Sequence, residues 1–192
     1  MIKGECLKYF MVLVIGLLVA FDLSMAQEPK EDSSEITLMR LPELKVGALD
    51  GTKTVLPDSA FGYITLVTFG FQRESQDDLN TWLFPFAKEF SDSARYNYYE
   101  VPMMGTRIPG ILRAVINRGM RRGIPKDKHR KVLPYYGDIN SYAKKLEMID
   151  RTQVHVFLLD QKGLIRWRSQ GRATDEGLER LRKIAQELGR QE

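Results

Sequence analysis

Residues 153–174 read Gln-Val-His-Val-Phe-Leu-Leu-Asp-Gln-Lys-Gly-Leu-Ile-Arg-Trp-Arg-Ser-Gln-Gly-Arg-Ala-Thr. Val154 to Leu159 is a nearly continuous apolar run of β-branched and aromatic residues, the composition of a strand buried on both faces. Asp160-Gln161-Lys162-Gly163 supplies a turn in which Gly163 is free to take positive φ. Leu164 to Arg168 then alternates apolar with charged side chains, as a strand with one face in the core does. Gly171 breaks the alternation. Thr174, followed by Asp175 and Glu176, is an N-cap with an acidic first turn for a closing helix over 175–188. A hairpin of unequal burial that feeds a helix predicts an α/β domain, with a central mixed sheet and helices on both faces.

The upstream chain fits that plan. Leu38 to Val55 reads as an N-terminal β-hairpin around Asp50-Gly51. Tyr63 to Phe69 is an apolar, β-branched run that predicts the central strand. Ser75 stands as N-cap of a helix over 75–90, whose apolar positions include Leu79, Trp82, Leu83 and Phe86. Arg95 to Val101 predicts the next strand, and Val132 to Gly137 a short strand-like run. Further helices are expected over 108–121 and 139–148. Trp167 is expected half-buried against the last helix.

The segment VFLLDQKGLIRWRSQGRAT resembles the C-terminal signature of the ATP10 family, assembly factors of the mitochondrial ATP synthase. The signature residues here are Asp160, Gly163, Arg166, Trp167 and Gly171. Looser similarity covers Leu41–Trp82 and Tyr136-Gly137-Asp138. The resemblance implies a thioredoxin-like domain over 38–190 that has lost its redox cysteines. Where a redox relative carries its cysteines, this chain has Phe71-Gln72-Arg73-Glu74-Ser75-Gln76, so Glu74 and Ser75 mark the degenerate site. Val154 falls where redox-active relatives place a cis-proline, beside His155. The resemblance also implies a chaperone or assembly role, an insertion near Arg107–Lys131, and a mitochondrial inner-membrane address.

The N-terminus reads differently. Lys3 and Lys8 precede an apolar run from Tyr9 to Phe21, and Ser24-Met25-Ala26 supplies small residues for cleavage, so 1–26 is a signal peptide. Its apolar run falls short of the roughly 20 residues a span needs, which leaves an uncleaved signal anchor as the alternative. Mitochondrial presequences are Arg-rich, whereas the first arginine here is Arg40. The signal predicts an exported, periplasmic or otherwise extracytoplasmic protein, with residues 27–37 as a polar tether. Cys6 is the single cysteine of the 192 residues. The chain beyond the signal therefore carries no thiolate for redox or nucleophilic chemistry, and no haem is attached through Cys-x-x-Cys-His. No cofactor is expected. Two distant histidines supply no tetrahedral metal set.

A hydrolase reading would pair Ser75 with His155, but no Gly-x-Ser-x-Gly elbow surrounds the serine. From Arg107 to Lys131 nine basic residues stand against one acid, Asp127, in a chain of net charge +4. Ile111, Leu112, Val115 and Ile116 give the helix there an apolar face. Arg113, Arg118, Arg121, Arg122, Lys126, Lys128, Arg130 and Lys131 form the expected partner-binding patch. The cluster is either a solvated face or a footprint for an acidic client, a membrane protein or anionic lipid. Nucleic acid is not expected, because no aromatic platform is interleaved with the charges. Three functions are thus in view: a non-catalytic assembly factor for a membrane complex, an envelope redoxin-like enzyme or hydrolase, and a generic binding module.

Overall fold

The computed structural model describes residues 39–190 apart from Ser91. The signal segment and the tether lie outside the described residues. Antiparallel strands β1 (Leu44–Gly47) and β2 (Lys53–Leu56) form the N-terminal hairpin. Asp50 tightens its turn by accepting the Thr52 amide at 2.8 Å, and Gly51 takes φ +93°.

The main sheet contains β3 (Ile64–Gly70), β4 (Tyr96–Pro102), β5 (His155–Leu159) and β6 (Ile165–Gln170), in the order β4-β3-β5-β6. β4 runs parallel to β3, while β5 runs antiparallel to both β3 and β6. Helix α1 (Gln76–Phe90) supplies the crossover between the parallel pair. Helices α2 (Gly110–Gly123), α3 (Ile139–Lys145) and α4 (Asp175–Arg190) follow. This is the expected mixed sheet with an N-terminal hairpin.

Period-two alternation divides the core. Ile64 and Leu66 of β3, with Val156 and Leu158 of β5, pack on Trp82, Leu83, Phe86, Leu181 and Ala185 of α1 and α4. The intervening Val67, Phe69, Phe157 and Leu159 pack instead with the hairpin residues Leu44 and Leu56 and with Tyr142 of α3. The buried hydroxyls of Thr65 and Thr68 donate to the carbonyls of Tyr63 and Tyr99, so β3 holds polar residues without an unmet donor.

The C-terminal hairpin explains the signature residues as architecture. Asp160 accepts the amides of Lys162 and Leu164 at 2.9 and 3.0 Å and faces Arg166 at 3.6 Å. Gly163 has φ +75°, and its carbonyl accepts the Leu41 amide. Thr174 caps α4 by accepting the Gly177 amide at 3.1 Å.

Three local expectations are corrected. Trp167 is buried rather than half-buried, because Trp82 of α1 meets its face as well. Val132–Gly137 makes only isolated bridges, from Val132 to Glu100 of β4 and from Tyr135 to Met103 just beyond it. Pro134 lies between them and has no N–H to donate to a ladder. Helix α3 stops at Lys145, and Glu147 just beyond it takes φ +55°.

Candidate functional site

The position that the sequence reading marks as a degenerate redox site lies where the chain leaves β3. Gly70 and Phe71 lead into a 3₁₀ turn, Arg73–Ser75, that opens α1. Glu74 is exposed and Ser75 buried. Ser75 departs from its expected role as helix cap: its hydroxyl reaches across to donate to the Thr152 carbonyl at 3.1 Å. The loop before β5 is itself tied down by Asp150. That carboxylate accepts the amide and hydroxyl of Thr152 at 2.9 and 2.6 Å and the Gln153 side-chain amide at 2.8 Å. These bonds favour its charged form and hold its pKa below the usual value.

His155 completes the site. Its Nε2 lies 2.7 Å from the Asp150 carbonyl. A carbonyl only accepts, so Nε2 carries the proton and Nδ1 is the unprotonated nitrogen. Burial pushes the imidazole pKa down, against the smaller pull of the Asp150 carbonyl and carboxylate. The ring meets Phe71 edge-on at 6.0 Å, and the Arg151 guanidinium lies 5.9 Å from the Phe71 ring centre. Arg151 is anchored by Asn140 at 2.7 Å.

Ser75 and His155 therefore share a neighbourhood but not a proton-transfer path. Each spends a proton on a backbone carbonyl, and general-base activation of the serine needs a hydroxyl-to-imidazole bond. Val154 is fully buried, and its carbonyl accepts the Gly171 amide at 2.9 Å. The Arg151–Phe71–His155 stack had no individual signal in the sequence. Only the register pairing Phe69 with His155 brings Phe71 onto the imidazole. Beside it, Asn140, Ala143, Lys144, Glu147, Met148, Ile149 and Arg151 line an open depression of about 350 Å³.

The basic segment is a second, differently built surface. Helix α2 has no buried residue, so the apolar face given by Ile111, Leu112, Val115 and Ile116 is not taken into the core. It is held instead through positions 113, 117 and 121. Arg113 donates to the Ile108 carbonyl at 2.8 Å and lies over the Tyr136 ring. Asn117 accepts the Tyr136 hydroxyl at 2.7 Å, and Arg121 donates to the Leu49 carbonyl at 3.2 Å. These three positions share one helical face, so the helix is fastened by polar residues and turns Ile111, Leu112 and Val115 outward.

The patch residues thus divide. Lys131 donates to Asn97 and lies near the Tyr98 and Tyr99 rings, where burial lowers its pKa. Lys128 lies over Phe84. Arg118, Arg122, Lys126 and Arg130 are exposed.

Together, the mixed sheet, the crossover helix and the C-terminal hairpin-helix define a thioredoxin-like protein. Solved structures agree. BsSco, a member of the Sco family of cytochrome c oxidase assembly proteins, is similar at TM-score 0.57 and 11% identity, over 81% of this chain and 96% of that one. The thioredoxin domain of a thiol-disulfide oxidoreductase from Bacteroides vulgatus is similar at TM-score 0.54 and 18% identity, over 77% and 96%. The exposed lipoprotein thioredoxin of Streptococcus pneumoniae is similar at TM-score 0.51 and 13% identity, over 74% and 98%. At these identities the likeness shows the fold alone. No curated protein matches the chain. The sequence pattern of the ATP10 protein family does match, over residues 37–188. The chain belongs to the ATP10 family.

Proposed function

We propose that this protein is a non-catalytic assembly factor, a thioredoxin-like domain that holds a client of a membrane protein complex and does no thiol chemistry. Membership of the ATP10 family makes the ATP synthase the first complex to consider, at an extracytoplasmic membrane face or the mitochondrial inner membrane. One observation carries the reading. Ser75 stands at the degenerate redox position, buried and bonded to the Thr152 carbonyl, and Cys6, the one cysteine, lies far upstream in the N-terminal segment. Thiol–disulfide exchange begins with attack by a thiolate, and residues 39–190 have none to offer. The hydrolase reading lacks its serine–histidine bond. What supports a holding role is an intact fold in which the polar groups of Ser75, Asp150 and His155 are spent on fixing the loop before β5.

The test pairs two measurements. Tagged full-length protein captured from detergent-solubilised membranes is expected to bring down ATP synthase subunits. The same protein is expected to leave insulin disulfides unreduced in the presence of dithiothreitol, beyond the uncatalysed rate. Turnover of insulin would overturn the non-catalytic reading. Capture without any ATP synthase subunit would overturn the client assignment.

A further inference from the structure

We propose that the outward face of α2 is a docking surface for anionic lipid, with Ile111, Leu112 and Val115 entering the headgroup–acyl boundary and Arg118 and Arg122 holding phosphate. The polar anchors at Arg113, Asn117 and Arg121 fix which face looks out. On a helix of 3.6 residues per turn, Ile111, Val115, Arg118 and Arg122 fall on one stripe, turned away from the face of Arg113, Asn117 and Arg121. Ile111 is 87% exposed, Val115 60% and Leu112 48%. No other stretch of the described chain sets three large apolar side chains in the open within one and a half helical turns.

Charge selects the occupant. From Arg107 to Lys126 there is no acidic residue, so nothing on the helix repels a phosphate. Arg118 and Arg122 follow Val115 by one and two turns, near enough to reach headgroups while the apolar end sinks deeper. A protein partner would have to supply a groove for this helix, whereas a bilayer surface conforms to it. Docking would be interfacial, because no helix among the described residues is long and apolar enough to cross a membrane. This inference goes beyond the assembly reading, since client capture can succeed or fail whatever α2 does.

The test uses the full chain with Cys6→Ser and a single reporting thiol, Val115→Cys, labelled with nitrobenzoxadiazole. A second protein carries the label at Arg180→Cys on α4. With vesicles of phosphatidylglycerol and phosphatidylcholine, the label at 115 is expected to brighten and shift to the blue, and the label at 180 to stay aqueous. Pure phosphatidylcholine should give no shift. Raised salt should reverse the signal, because attraction to a charged surface fades beyond a Debye length of about 8 Å at physiological ionic strength. Arg118→Gln with Arg122→Gln should weaken the apparent vesicle affinity about thirtyfold. Ile111→Ser with Leu112→Ser should abolish the shift in the Val115→Cys reporter, and its unfolding midpoint should match the parent's because both sites are exposed. An aqueous label at 115 on anionic vesicles would overturn the proposal, even if the N-terminal residues tether the chain to them. So would an equal shift on neutral vesicles, or a concentration-dependent shift before any lipid is added, which would point to a second copy of the chain.

Discussion

The Ser75 hydroxyl donates to the carbonyl of Thr152, 77 positions along the chain, at 3.1 Å. It joins the start of α1 to the loop before β5, the two segments that frame the site. Ser75→Ala would remove this part-buried bond between two distant segments and is expected to cost about 1 kcal/mol. Urea unfolding should report that loss, and capture of the client should be unchanged. Loss of a hydrolytic activity in this variant would instead revive the nucleophile.

The Trp82 and Trp167 rings meet edge-on at 5.4 Å, and the Trp82 indole N–H donates to the Gly171 carbonyl at 2.8 Å. One contact therefore joins α1, β6 and the turn beyond it. Trp167→Ala should destabilise by about 3–5 kcal/mol, the usual range for a large aromatic removed from a core. The denaturant midpoint should fall while the slope holds. Trp167→Phe, which keeps an aromatic partner for Trp82, should cost much less.

Gly163 holds φ +75°, and a Cβ there would lie 2.6 Å from the Pro57 Cβ. Gly163→Ala therefore meets backbone strain of about 1–3 kcal/mol and a clash with a ring that cannot rotate away. Thermal denaturation should show a clear drop in midpoint. A neutral outcome would contradict the packing of the C-terminal hairpin on the Leu56-Pro57 segment.

His155 supplies a pH test. Burial lowers its folded pKa below 6.5, so the unfolded chain binds the proton first as pH falls. Its contribution is complete above pH 6.5 and is lost as pH drops from there toward the folded value. Glu100 acts with the opposite sign, since burial raises its carboxyl pKa above 4.5 and its contribution declines as pH rises through that value. Comparing parent with His155→Gln separates the two. The variant should lose less stability than the parent between pH 7.5 and pH 5.5 in urea titrations.

The two central strands were legible as continuous apolar runs because both of their faces are buried, and Leu164–Arg168 was legible by alternation. Ile64, Leu66, Val156 and Leu158 alternate against Val67, Phe69, Phe157 and Leu159, and the structure sends each set to its own core. The closing helix was legible from Thr174. The apolar spacing in α2 was visible too, but spacing marks a face without saying what covers it. Arg113, Asn117 and Arg121 decided that question through Tyr136 and the Leu49 carbonyl, contacts no local pattern encodes. Ser75 misled for a related reason: serine at a helix start ordinarily caps, whereas a carbonyl 77 residues away claimed this hydroxyl. The cysteine-free site was plain from composition, while the Arg151–Phe71–His155 stack emerged only from the pairing of β3 with β5.

The central claim is that the fold has been kept for holding a client rather than for exchanging thiols. The most direct measurement is quantitative capture from solubilised membranes, with full-length tagged protein compared against its Ser75→Ala variant. ATP synthase subunits should be enriched equally by both, with no mixed disulfide between bait and client on non-reducing gels. Absence of those subunits, or a client held through Cys6 in a reducible bond, would contradict the account.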